Sequence, residues 1–200
     1  MNSKLVALTA VLIAVGAVAR IGIGSLTMFV PEPFYGVLIA IGLTETITFV
    51  SGFAFGSVTG FVTGSSIIVI SDMATIPGAW TPFIAIIIGA IGVLGGMITR
   101  LVKQPTVRMM GICAVILTLM SESLQNLWVA LFYNIPFAAT MLTGLSTLVI
   151  ALANNFILFT TVGLRIIRMI QGSSLYSNST SSVSRSAAQS KYQVHRSKEP

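Results

Sequence analysis

Three ionic side chains, Arg20, Glu45 and Glu122, each interrupt a long run of apolar residues. An Arg or Asp at the centre of a membrane span costs about 2.5–3.5 kcal/mol on insertion scales, so such groups need a partner or a water-filled cavity. Two polar faces accompany them. Thr118, Glu122, Gln125 and Asn126 recur at i, i+4, i+7 and i+8, one face of a helix. Thr140, Thr143, Thr147, Ala151 and Asn154 form a second polar-and-small stripe. Turned inward, the two faces form either a structural hydrogen-bond network or a polar pocket in the outer half of a bundle. The similar depth of Arg20 and Glu122 favours the pocket, and with it an Arg20–Glu122 pair open to a bound solute. Catalysis fits poorly. The chain has no His-Glu-x-x-His, no Gly-x-Ser-x-Gly and no cluster of histidine, cysteine or aspartate; its one histidine, His195, and one cysteine, Cys113, lie far apart. An activated nucleophile or a metal needs neighbours of that kind.

The elements that must carry these residues follow from composition. Of 200 residues, 54% are hydrophobic and only 8% charged, with mean hydropathy +0.94. A soluble domain carries about 25% charged residues, so a polytopic membrane protein with one compact bundle is expected. Four apolar runs have the roughly 20 residues a span needs: 4–26, 81–101, 109–132 and 138–164. The run from Phe34 to Ser71 would make a helix about 57 Å long, nearly twice the hydrocarbon core. It must turn back, and Ser51–Gly52 is the expected turn, giving spans 34–51 and 53–71. The resulting fold is an all-α membrane protein, a six-transmembrane-helix bundle over residues 1–170. Glu45 then falls in the middle of the second span and Arg20 in the outer third of the first.

Charge placement orients the bundle. With six spans, Lys4, the Arg100–Lys103–Arg108 loop and the Arg165–Arg168 end share one side. The opposite loops, Met28–Tyr35, Asp72–Pro82 and Phe132–Pro136, contain no Lys or Arg. The positive-inside bias puts both termini in the cytoplasm of a multi-pass cell-membrane protein. The net charge of +6 is therefore a membrane signature and no sign of nucleic acid. The first apolar run is too long for a secretory signal core and is expected to stay as a span. Residues 171–200 are about a third serine. They cannot bury enough surface to offset their ordering entropy and are expected to form a disordered cytoplasmic tail.

Small residues mark close helix contacts. Gly52, Gly56, Gly60 and Gly64 repeat every four residues, and Gly89, Gly92 and Gly96 make a similar stripe, the pattern of backbones packed tightly in lipid. Ala7, Ala10 and Ala14 form a patch on the first span that either packs internally or docks another membrane subunit. The loop Ile76-Pro77-Gly78-Ala79-Trp80-Thr81-Pro82 is stiffened by its prolines. Trp80 is either an interfacial anchor or the cap of a pocket that opens outward.

Over residues 5–168 this pattern resembles the substrate-binding (S) components of energy-coupling factor (ECF) transporters, of the type with a Gly-x-Trp-Thr-Pro outer loop. Gly78-Ala79-Trp80-Thr81-Pro82, after a Gly-rich third span ending in Ser71-Asp72, carries the resemblance. It implies a capture subunit for a vitamin or similar micronutrient. A transmembrane coupling subunit and two cytoplasmic ATPases would be its partners, with ATP used only by the ATPases and no cofactor in this chain. It also implies contact with the coupling subunit at an Ala-x-x-x-Ala patch, here Ala10 and Ala14, and a pocket in the outer loops and outer span halves. The candidate substrate-binding residues are then Arg20, Trp80, Thr81, Glu122, Gln125, Asn126 and Asn154. One departure is the apolar Phe83-Ile84-Ala85, where many relatives carry polar or aromatic residues including Gln. The solute thus stays unnamed.

Two other function classes compete with capture. A self-contained ion-coupled transporter would use Glu45 or Glu122 as proton carrier, although no repeat relates 4–71 to 81–168. An intramembrane enzyme lacks the motifs noted above. The chain also lacks a Gly-x-x-x-x-Gly-Lys-Ser/Thr phosphate loop, so any ATP hydrolysis must come from a partner.

Overall fold

The computed structural model describes residues 3–27, 42–102 and 104–172. The expected loop Met28–Tyr35, the start of the second expected span, Lys103 and the serine-rich segment from residue 173 lie outside the described residues. All described regular structure is helical. Helix α1 is Ser3–Thr27, α2 Leu43–Phe55, α3 Ser57–Ala74, α4 Thr81–Leu101 and α5 Val107–Tyr133. After Asn134 come α6 (Phe137–Thr143), α7 (Leu145–Leu158), a π-helical turn (Phe159–Gly163) and α8 (Leu164–Gly172). Five helices are long and apolar enough to cross a membrane: α1, α3, α4, α5 and the continuous Leu145–Gly172 rod. The shorter apolar helix α2, at 13 residues, is about 20 Å long and falls short of the roughly 30 Å core.

The turn between α2 and α3 differs from expectation. Helix α2 runs through Ser51–Gly52, and the chain reverses at Gly56, whose φ of 100° suits only glycine. Gly52 is needed elsewhere. Gly52, Gly60 and Gly92 bring the backbones of α2, α3 and α4 into direct contact, and a Cβ on Gly52 or Gly92 would overlap the facing main chain. Hydroxyls then tie the three helices together. Ser51 and Thr63 share a hydrogen bond of 2.8 Å, Ser65 donates to the Ala85 carbonyl at 2.9 Å, and Thr99 donates to the Phe53 carbonyl at 2.6 Å. Where lipid removes the hydrophobic drive between helices, close backbone approach and such bonds hold the bundle.

Phe49, Phe53, Ile91, Met110, Phe159 and Ile167 fill the core beside this contact, with Phe49 and Phe159 ring centroids 5.2 Å apart. Cys113 is buried in the same core. Helix α5 ends where Asn134 takes the left-handed conformation (φ 53°) two residues before Pro136, a helix stop followed by a residue that cannot continue it. The expected last span, 138–164, is interrupted at Gly144 and again at the π turn, then continues to Gly172, two residues into the segment expected to be tail.

Helix α1 stands at the edge. It packs on α3 and α2, with Gly16 pressed on Ile67, and presents Ala7, Ala10, Val11, Ala14, Val15 and Val18 outward. Contacts of Gly96 with Ser57 and of Gly163 with Met110 set the α4 C-terminus, the α2–α3 turn, the α5 N-terminus and α8 at one end. Arg100, Arg108, Arg165 and Arg168 therefore gather there, and Trp80 marks the opposite end.

Candidate functional site

At that opposite end three helices are joined by one carboxylate. Asp72, in the last turn of α3, accepts a 3.0 Å hydrogen bond from the Arg20 guanidinium of α1 through Oδ1 and a 2.7 Å bond from the Thr81 hydroxyl of α4 through Oδ2. Thr81 Oγ1 in turn accepts from the Gly78 N–H at 3.2 Å, which fixes the Pro77–Gly78 loop. Asp72 is 6% exposed and Arg20 36%. Arg20 thus pairs with Asp72, and the anticipated Arg20–Glu122 bond does not form. Depth alone matched Arg20 to Glu122, but depth says nothing about which side of the helix a residue occupies.

The Trp80 ring folds over Gly78 so closely that a methyl group there would strike it. Its other side helps enclose a cleft of about 280 Å³ lined by Trp80, Phe83, Ile84, Gln125, Trp128, Val129 and Tyr133. Phe83 and Trp128 centroids are 6.2 Å apart, and Trp128 stacks on Phe132 at 4.8 Å. The cleft brings together Trp80 and Gln125, two of the candidate residues. It also recruits Phe83 and Ile84 from the apolar stretch in which the sequence departs from its resemblance. Trp128 follows Gln125 at i+3, a spacing that marks it as a neighbour on the same face.

Beneath the cleft lies a polar interior. Glu122, Gln125 and Asn126 follow one another along α5 and are all half-buried. Gln125 and Asn126 donate back to the carbonyls of Ser121 and Glu122, and the Thr140 hydroxyl of α6 donates to the Asn126 carbonyl at 3.3 Å. On α7 the inward residue is Asn155, only 2% exposed, whereas the candidate Asn154 is half-buried. Asn155 Nδ2 donates to Thr118 Oγ1 at 2.8 Å. Its Oδ1 lies hard against Gly42 at the N-terminus of α2 and has no hydrogen-bond partner among the described residues; nor has the buried Thr48 Oγ1. Glu45 lies in the first turn of α2. The Arg20 charge reaches Glu45, and the Glu45 charge reaches Glu122.

Comparison with family models, with curated proteins and with solved structures finds no match. Function must therefore be argued from the arrangement itself. An aromatic cleft at one end of the bundle is lined by Gln125, which shares α5 with the half-buried Glu122 and Asn126. Such a site is suited to holding a small solute with an apolar face and a hydrogen-bonding end.

Proposed function

We propose that this chain is the membrane-embedded, high-affinity capture subunit of an ECF-type importer for a vitamin or similarly small polar micronutrient. The observation that carries the reading is the cleft under Trp80, formed by the loop whose Gly-x-Trp-Thr-Pro residues bear the resemblance, with Glu122, Gln125 and Asn126 along the adjoining helix. Arg20 and Thr81 act by clamping α1 and α4 to Asp72, so the loop is held open toward its solute. Asn154 would contribute from α7.

In this reading the chain crosses the membrane six times, with α2 and the segment before it forming the second span. The arginine-bearing end and both termini lie in the cytoplasm, and the Trp80 end faces outward. A transmembrane coupling subunit binds the outward-turned Ala10–Ala14 face of α1, where Ala14, Val15, Val18 and Ala19 line a shallow apolar groove. Two cytoplasmic ATPases complete the importer and supply all ATP hydrolysis.

The reading predicts that Ala14→Trp lowers co-purification of the coupling subunit at least tenfold while leaving solute affinity unchanged. Equal losses of both, or of neither, would remove α1 from the docking role. A second reading, an ion-coupled transporter working through Glu45 or Glu122, draws on two carboxylates that have no ion-pair partner among the described residues. Liposomes holding the chain alone separate the two. Capture predicts no uptake under a proton gradient, and the ion-coupled reading predicts uptake.

A further inference from the structure

The charges within the described membrane helices do not balance. Away from the end that gathers Arg100, Arg108, Arg165 and Arg168, the described helices hold three carboxylates, Glu45, Asp72 and Glu122, and one guanidinium, Arg20, which Asp72 holds directly. Glu45 and Glu122 are left without an ion-pair partner among the described residues, and the Glu45 charge acts on Glu122. Between their helices sits Asn155, whose buried Oδ1 is an acceptor without a donor among the described residues. The geometry ties it to both carboxylates. Asn155 touches Gly42, one helical turn from Glu45 on α2, and bonds Thr118, one turn from Glu122 on α5. A buried acceptor left unpaired is costly, and here a carboxyl group stands one helical turn away on each of two neighbouring helices. What the site lacks is a positive charge that also donates hydrogen bonds.

We propose that the captured solute is a cation, and that its ammonium or comparable N–H-bearing group binds among Glu45, Glu122 and Asn155 while its apolar body occupies the cleft of Trp80 and Trp128. The inference rests on the capture reading and names its substrate class. Alkali ions satisfy the charge but donate no hydrogen bond, and they leave the aromatic cleft empty. The aromatic faces add to the preference for a cation, because a ring quadrupole attracts a positive group within about 6 Å.

The chain contains only two tryptophans, and both line the cleft. Their fluorescence in the full-length protein in lipid nanodiscs therefore reports on this site. The probes are 2-phenylethylammonium, its neutral counterpart 2-phenylethanol, and sodium chloride, each titrated with empty nanodiscs as control. The expected result is saturable ammonium binding at least tenfold tighter than that of the alcohol. Glu122→Gln and Glu45→Gln should each bring the two affinities to within about threefold, with unchanged thermal unfolding; should one variant not fold, the other decides. The proposal is overturned if the alcohol binds as well as the ammonium, or if a folded Gln variant keeps the full preference. It is equally overturned if sodium alone saturates the signal, or if no saturable ammonium binding occurs up to ~10 mM, a free energy under about 3 kcal/mol. Tight capture of a neutral or anionic solute recovered with the protein would refute the cation and leave the capture reading standing.

Discussion

Replacing Gly92 with leucine is expected to abolish the folded bundle. Gly92 meets the Gly60 main chain on one side, and its own carbonyl fills the space where Gly52 would carry a side chain. Extra methylenes in a packed core cost about 1–3 kcal/mol when side chains can shift. Here the obstacle is the Gly60 main chain, which cannot turn aside as a side chain can, so the cost should exceed that range and α3 should separate from α4. Gly22 is the control, since a Cβ there meets nothing within 4 Å; Gly22→Leu should unfold at the wild-type temperature. Gly56 tests a different term. Its surroundings are open, but its φ of 100° disfavours any L side chain, so Gly56→Ala should cost about 1–3 kcal/mol. Thermal unfolding followed by size-exclusion chromatography in detergent ranks the three. A well-folded Gly92→Leu protein would mean that these helices are not packed backbone to backbone.

Removing the Asp72 carboxylate is the second large effect. Asp72→Ala strands Arg20 within the membrane helices and takes the acceptor from Thr81 at once. Breaking one partner of a buried pair costs about 3–5 kcal/mol, and an exposed pair about 0–1. With Arg20 one-third exposed, a loss of about 2–3 kcal/mol is expected. Asp72→Asn keeps an acceptor for Thr81 and should lose less. Replacing both partners, as in Arg20→Met with Asp72→Leu, removes the stranded charge, so the double variant should be more stable than Asp72→Ala alone. Strict additivity of the two single changes would show that the pair does not couple α1 to α3. Solute affinity should fall with Asp72→Ala as well, because the Gly78–Thr81 bond that sets the Trp80 loop loses its anchor.

Much of this was legible as pattern, less as pairing. The apolar runs at 81–101 and 109–132 correspond to helices over Thr81–Leu101 and Val107–Tyr133. Hydropathy reports span length directly, and Pro82 and the Asn134–Pro136 turn mark the ends. The glycine repeat pointed to close packing, but it did not distinguish a helical glycine from a turning one. Gly52 sits in backbone contact and Gly56 four residues later reverses the chain, a difference set by the third helix, α4. Arg20 and Asp72 lie 52 residues apart, and nothing local joins them. Asn155, the neighbour of the candidate Asn154, is the buried asparagine of α7 and was not singled out by the stripe. Thr140 and Ala151 of that stripe are buried, and Leu148, Asn155 and Phe159 share their side of the rod at helical spacing. Trp80 and Gln125 were identifiable singly; that they share a cleft with Trp128 required the packing of α4 on α5.

Native mass spectrometry of the protein, extracted in mild detergent without added ligand, tests the capture account most directly. The account predicts a species heavier than the bare chain by one small organic molecule, displaced when Glu122→Gln is introduced. A spectrum of bare chain alone, from protein that drives solute uptake by itself in proton-loaded liposomes, would contradict it.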